Sequence, residues 1–164
     1  AALPPRAGRR PAPRRAAPDP AVSPAPGPGF YRALASLHAD AFRDESPRAW
    51  RADEIGALAE APGAILCVDL AAPDGFALAR VAAGEAEILT IAVAPRRRRR
   101  GLGGTLLAAA EATARAAGAE RMLLEVGEDA AAARALYARG GYRACGRRPR
   151  YHGVVGALLL AKPL

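Results

Sequence analysis

Lysine is almost missing from this chain: one Lys stands against 23 Arg in 164 residues. That imbalance reflects coding bias more than chemistry. Aromatic residues are also scarce, at 5% with a single Trp, so a core has to be assembled from Ala, Leu, Val and Ile within a chain that is 51% hydrophobic. The two cysteines, Cys67 and Cys145, lie far apart, with no CxxC partner and no His at ligand spacing, which leaves no metal centre to expect. Both read as buried free thiols, since unpaired Cys is among the most buried residue types. No apolar run approaches the roughly 20 residues of a membrane span. Nor is there a charged start leading into an apolar stretch, so no secretory signal is expected and the cytoplasm is the expected location.

The net charge of +8 is unevenly spread. Residues 1–29 contribute +4 and the run Arg96–Arg100 contributes +5, leaving the remainder at −1. A near-neutral body with one short basic run is not the broad basic face of a nucleic-acid binder. Residues 1–29 also hold nine of the fifteen prolines and, past Leu3, no Leu, Ile or aromatic. Proline fixes φ and removes a donor, so this segment reads as a disordered tail ahead of one domain spanning 30–164.

From Phe30 the periodicity changes. Leu34, Leu37 and Phe42 share a helical face, as do Ile55, Leu58 and Ala59 before the Pro62-Gly63 stop. Strands follow over 64–70, 76–82 and 85–93, separated by turn signals at 72–75 and at Ala83-Gly84. Beyond the arginines come a helix over 101–118, a strand over 121–126, a helix over 131–139 and strands over 142–146 and 154–161. The order predicts an α/β (α+β) fold, with about six strands and about four helices around one core.

The chemistry concentrates at "VAPRRRRRGLGGTLL" (93–107). A strand, a Gly-rich turn and a helix start make an anion site. The first helical N–H groups lack partners, the dipole adds positive charge, and glycine permits close approach. A dinucleotide fingerprint is excluded because Leu106 stands where the third Gly belongs; a nucleoside-triphosphate loop is excluded because the lone Lys is Lys162. What remains has the form (Q/R)xxGx(G/A) over Arg98–Gly103.

With that loop, "EAEILTIAVAPRRRRRGLGGTLL" and "MLLEV……ALYARGGYRACGRR" together, the chain over about 30–164 resembles the GNAT superfamily of acetyl-CoA-dependent N-acetyltransferases. Leu124-Glu125-Val126 followed by Ala135-Leu136-Tyr137 and Gly141-Tyr142 is most similar to the RimI-type ribosomal-protein alanine N-acetyltransferases. The resemblance implies a mixed, mostly antiparallel sheet with splayed central strands. It implies that acetyl-CoA is held by Ile91, Ala92 and Val93 along the pantetheine arm and by Arg98, Arg99, Arg100, Gly101, Leu102, Gly103 and Gly104 at the pyrophosphate. Arg96 and Arg97 read as a solvated lead-in.

An amine attacking a thioester needs a proton acceptor, and the leaving thiolate needs a donor. By the same resemblance Glu125 is the general base, through water, and Tyr137 the general acid. Taken alone, a Glu at a strand end is more often a solvated charge and a Tyr on an Ala-rich helix more often core. Trp50, Tyr151 and His152 match aromatic positions lining the acceptor cleft; His38 reads as structural or solvated. One position departs from the pattern: Ala130 stands where the family commonly has an Asn bonded to the pantetheine region, which weakens cofactor binding unless Asp129 or backbone replaces it. The expected partner is a peptide or protein N-terminus, a ribosomal protein among the candidates, acted on by a monomer or weak dimer with no membrane and no specific nucleic acid. The alternatives are acetylation of a small-molecule amine or lysine side chain and, remotely, a basic nucleic-acid-associated protein.

Overall fold

The computed structural model describes residues 28–43, 49–68, 73–149 and 155–164. Two helices, α1 (Pro28–Ala41) and α2 (Ala52–Ala59), precede a meander of β1 (Ala64–Val68), β2 (Gly75–Ala82) and β3 (Glu85–Val93). Then come α3 (Leu102–Ala116), β4 (Arg121–Gly127), α4 (Ala131–Arg139), β5 (Arg143–Arg148) and β6 (Ala157–Pro163). The strands form one sheet in the order β1-β2-β3-β4-β6-β5, parallel only between β3 and β4. This is the predicted architecture: a mixed, mostly antiparallel six-stranded sheet with four helices.

Boundaries shifted in three places. Helix α1 begins at Pro28, ahead of the expected start; Pro is tolerated in a first turn because its missing N–H would be unpaired there anyway. The last two strands lie over 143–148 and 157–163 rather than 142–146 and 154–161. Most of the expected tail, residues 1–27, lies outside the described residues.

Turn chemistry explains the meander. Gly63 has φ +75°, and a Cβ on it would sit 2.1 Å from the Val81 carbonyl oxygen, so only glycine fits. Ala83 (φ +50°) and Gly84 (φ +78°) make a two-residue hairpin turn, both central residues left-handed as a primed turn demands.

The sheet divides the core in two. One cluster (Ala77, Ala79, Ile88, Met122, Leu124, Val126) packs under α3 and α4; the other (Phe76, Leu78, Ala92) packs under α1 and α2 with Leu34 and Ile55. Strand β3 contributes to both through an irregularity. Leu78 pairs with Thr90 but Ala79 with Ile88, leaving Leu89 as a bulge. One extra residue shifts the alternation. Ala86 and Ile88 face α3, and so do Ile91 and Val93, whereas Thr90 and Ala92 face α1. Cys67 is half-buried in this core, but Cys145 is exposed on the edge strand β5, against the expectation of two buried thiols. Among the described residues no helix covers β5, whose six residues are all exposed.

Candidate active site

Strands β3 and β4 pair from Glu85 with Arg121 to Ile88 with Leu124, and then part. Strand β3 runs on to Val93 and β4 to Gly127 without pairing each other. The divergence begins at the Leu89 bulge, and it frees the β4-facing edge of β3 beyond it. This is the expected splay, and it opens beside the Gly-rich loop.

The chain leaves β3 through Ala94 and a 3₁₀ turn over Pro95–Arg97, then uses positive φ at Arg99 (+58°) and Gly101 (+84°) to enter α3. Gly101 is the N-cap and offers no side-chain cap; the first helical bond runs from Thr105 N–H to Gly101 O at 3.0 Å. The N–H groups of Leu102, Gly103 and Gly104 therefore have no carbonyl one turn behind them. Gly104, Leu107, Ala108 and Glu111 form a helical stripe along a groove of about 990 Å³, whose opposite wall is α4 through Ala132, Ala133, Leu136 and Arg139. A Cβ on Gly104 would meet nothing within 4 Å. Helix α4 also begins without a side-chain cap, at Ala130, and Ala132 and Ala133 of its first turn line the groove. Two helix N-termini thus border one cleft.

Of the residues expected to hold the cofactor, Ile91, Val93, Arg98, Arg99, Gly101, Leu102, Gly103 and Gly104 line this groove. Ala92 and Arg100 do not. The bulge turns the Ala92 side chain into the core beneath α1, fully buried, and leaves only its backbone available. Arg100 is exposed outside the groove.

Arg96 and Arg97 are more than a solvated lead-in, although the Arg96 side chain is 74% exposed. Both pair with Asp74, whose side chain is 11% exposed: Arg96 through its guanidinium and Arg97 through Nε at 3.3 Å. The Asp74 carbonyl also accepts the Ala94 N–H at 2.8 Å. Arg98 donates to the Ala41 carbonyl at the end of α1, with its Nε 3.4 Å from Val93 O. Arg96, Arg97 and Arg98 thus make contacts within the fold, although of the five only Arg97 is not exposed. Sequence reasoning missed Asp74, which reads as part of the "APDG" turn; the signal was five adjacent cations with no acid nearby in sequence.

Glu125 and Tyr137 lie on opposite faces of the sheet. Glu125 alternates with the buried Leu124 and Val126, so it stands on the α1/α2 face, exposed and ion-paired to Arg148 at 2.8 Å. Tyr137 is the buried residue of α4, 7% exposed, within the α3/α4 core and edge-on to Tyr142 with ring centroids 5.7 Å apart. Burial pushes its hydroxyl up to about 12. Neither residue lines the groove.

On the Glu125 face, Trp50 stacks on His38 with centroids 5.1 Å apart and planes 12° from parallel. His38 is buried, not solvated. Its Nδ1 accepts the Trp50 N–H at 3.4 Å and its Nε2 lies 3.4 Å from Thr90 Oγ1, so the neutral ring carries its proton on Nε2. Desolvation lowers its pKa. Trp50, half-buried, is thereby tied to β3 at the splay. Tyr151 and His152 lie outside the described residues. Among the described residues no helix is long and apolar enough to cross a membrane.

Residues 29–142 match the sequence model of the acetyltransferase (GNAT) family. No curated protein matches in sequence. Among solved structures, the chain is similar to the ribosomal-protein-S18-alanine N-acetyltransferase of Escherichia coli, with 25% identity and a TM-score of 0.69 over 82% of this chain and 88% of that one. It is similar in fold to Ard1 from Thermoplasma volcanium, at 22% identity and a TM-score of 0.70 over 84% and 93% of the two chains. It also shares its fold with a GNAT acetyltransferase from Elizabethkingia anophelis with acetyl-CoA bound, at 23% identity and a TM-score of 0.51 over 56% and 69%.

Proposed function

The chain belongs to the acetyltransferase (GNAT) family, and from that premise we propose that it transfers the acetyl group of acetyl-CoA to the α-amine of a protein N-terminus, of the ribosomal-protein alanine type. The observation that carries this is the Gly-rich start of α3 opening on a groove beside the part of β3 that β4 leaves unpaired. The likeness to the Escherichia coli ribosomal-protein-S18-alanine enzyme over most of both chains supports the choice of acceptor.

The groove suits acetyl-CoA. Its open space at Gly104, the unpaired N–H groups at two helix starts and the free edge of β3 are what a diphosphate with an amide-bearing arm requires. Leu102–Gly104 and the loop before them would hold the diphosphate, and the edge of β3 the arm. At α4 the Ala130 and Ala131 N–H groups are already bonded to Gly127 O and Asp129 O, so Ala132 and Ala133, which line the groove, would stand in for the missing Asn. When bound, acetyl-CoA supplies the thioester carbon that the amine attacks. Glu125 takes the proton from the acceptor ammonium through water, while the half-exposed Arg148 pairing gives way to the incoming cation. Tyr137, pushed up to about 12, would stay protonated throughout the working range and donate to the departing sulfur, its proton replaced by the second one that the nitrogen sheds as the amide forms. Trp50, on the Glu125 face, borders the path of the acceptor peptide.

The test is acetyl-CoA turnover against short peptides starting with Ala, Ser or Lys, beside polyamines and aminoglycosides. Preference for an Ala-first peptide is expected. Equal or better turnover of a small amine would sink the N-terminal assignment and leave a small-molecule acetyltransferase.

A further inference from the structure

The mechanism leaves Asp74 unused, although it is one of few buried charged groups in the described chain. It stands where β2 begins, beneath the turn that joins β3 to α3. Three contacts tie it to that turn: its carbonyl holds the Ala94 N–H, and its carboxylate meets Arg96 on one oxygen and Arg97 on the other. Arg97 also lines the groove, and its Nε, 3.3 Å from the carboxylate, forms an ion pair without a hydrogen bond. Arg96 lines a separate surface cleft on the far side of the turn, with Asp40 and Arg43 of the α1 end. The carboxylate therefore pins the turn from both sides. The left-handed residues Arg99 and Gly101, which aim the N–H groups of Leu102–Gly104, follow directly.

We propose that Asp74 is a positioning residue for acyl-CoA binding: it fixes the Ala94–Arg97 turn, sets Arg97 at the rim of the groove and so preorganises the diphosphate cradle. The proposal rests on the groove being the acetyl-CoA site. Its physical content is that geometry outweighs charge. Removing a carboxylate beside an anion site adds one positive charge there, and Coulomb attraction alone makes an anion bind more tightly. Loss of preorganisation makes it bind more weakly, because binding must then order the turn.

Asp74→Asn separates the two, since it keeps the backbone acceptor for Ala94 and nearly the same volume. CoA affinity is measured by calorimetry on the full chain, with acetyl-CoA KM and kcat on the preferred amine and a melting curve for each variant. Gly104→Leu, which fills the groove, runs alongside as a control for the site itself. Asp74→Asn is expected to raise the CoA Kd and acetyl-CoA KM by about tenfold or more, as small displacements of binding groups do, with kcat at saturation within about twofold. Asp74→Glu is expected to recover part of the affinity, which a merely structural role would not require. If Gly104→Leu weakens CoA binding while Asp74→Asn leaves it unchanged or tighter, the positioning role is overturned and the groove assignment stands. If Gly104→Leu has no effect, the groove assignment falls and the positioning role with it. Should Asp74→Asn fail to fold, Arg96→Gln takes its place, read at low and high salt because the loss of its charge alone is screened at high salt: weakening that persists at high salt is expected, and a Kd unchanged there overturns the proposal.

Discussion

Gly104→Ala should make the protein more stable and a poorer binder of CoA. Gly104 is the third residue of α3, and a Cβ there meets no protein atom within 4 Å, so no clash offsets the helix-propensity gain. Near a helix start that gain is about 0.5–1 kcal/mol, up to the full Gly-to-Ala difference. For a 164-residue chain this corresponds to a rise in Tm of about 1–4 °C. The Cα–Cβ bond tilts toward the helix N-terminus, the direction in which the free N–H groups point. The methyl group therefore stands where a phosphate oxygen has to approach. One hydrogen bond to a charged group contributes about 1.5–3 kcal/mol, so its loss weakens CoA by about 10- to 150-fold. Scanning calorimetry without ligand and titration calorimetry with CoA read the two effects separately. A higher Tm with Kd unchanged would refute the placement of the diphosphate at this helix start; a lower Tm would refute the claim that the space is open.

Glu125→Gln and Tyr137→Phe are each expected to lower kcat by about 10²–10⁴ with CoA Kd unchanged by calorimetry; full turnover in either removes that residue from the mechanism. Ala83→Asn relieves a left-handed alanine in the β2–β3 turn and is expected to add about 1 kcal/mol by denaturant titration. For His38 the sign follows from its lowered pKa. Below about 6.5 the unfolded chain takes up a proton that the folded His38 refuses, so its contribution is complete above that value and is lost as pH falls through the folded pKa. Denaturation of His38→Gln should therefore show a shallower loss of stability between pH 7 and pH 5 than the wild type, and identical slopes would exclude the effect.

Punctuation made most of the fold legible. Pro62-Gly63, Ala83-Gly84, Gly118 and Gly140-Gly141 stop elements where the structure stops them, and a strand, Gly-rich turn and helix in sequence place the anion site by local geometry alone. What stayed hidden depends on contacts distant in sequence. The Asp74 clamp closes across 22 residues, and nothing local to Asp74 marks it as more than a turn residue. The insertion of β6 between β4 and β5 is a matter of pairing, on which hydrophobic alternation is silent. In "EAEILTIAV" apolar residues fall on both faces, so the Leu89 bulge leaves no break in the pattern. His38 is buried by Phe42, Trp50 and Phe76 around its ring, and the last two are distant from it in sequence.

Leu89 opposes no residue of β2, and the pairing on either side of it is regular. Excising that one codon would leave Ile88, Ile91 and Val93 alternating in step, with every side chain still on its present face and every β2 partner retained. A single residue without a β2 partner thus sits where β3 and β4 cease to pair, and the residues on either side of it keep both their faces and their partners.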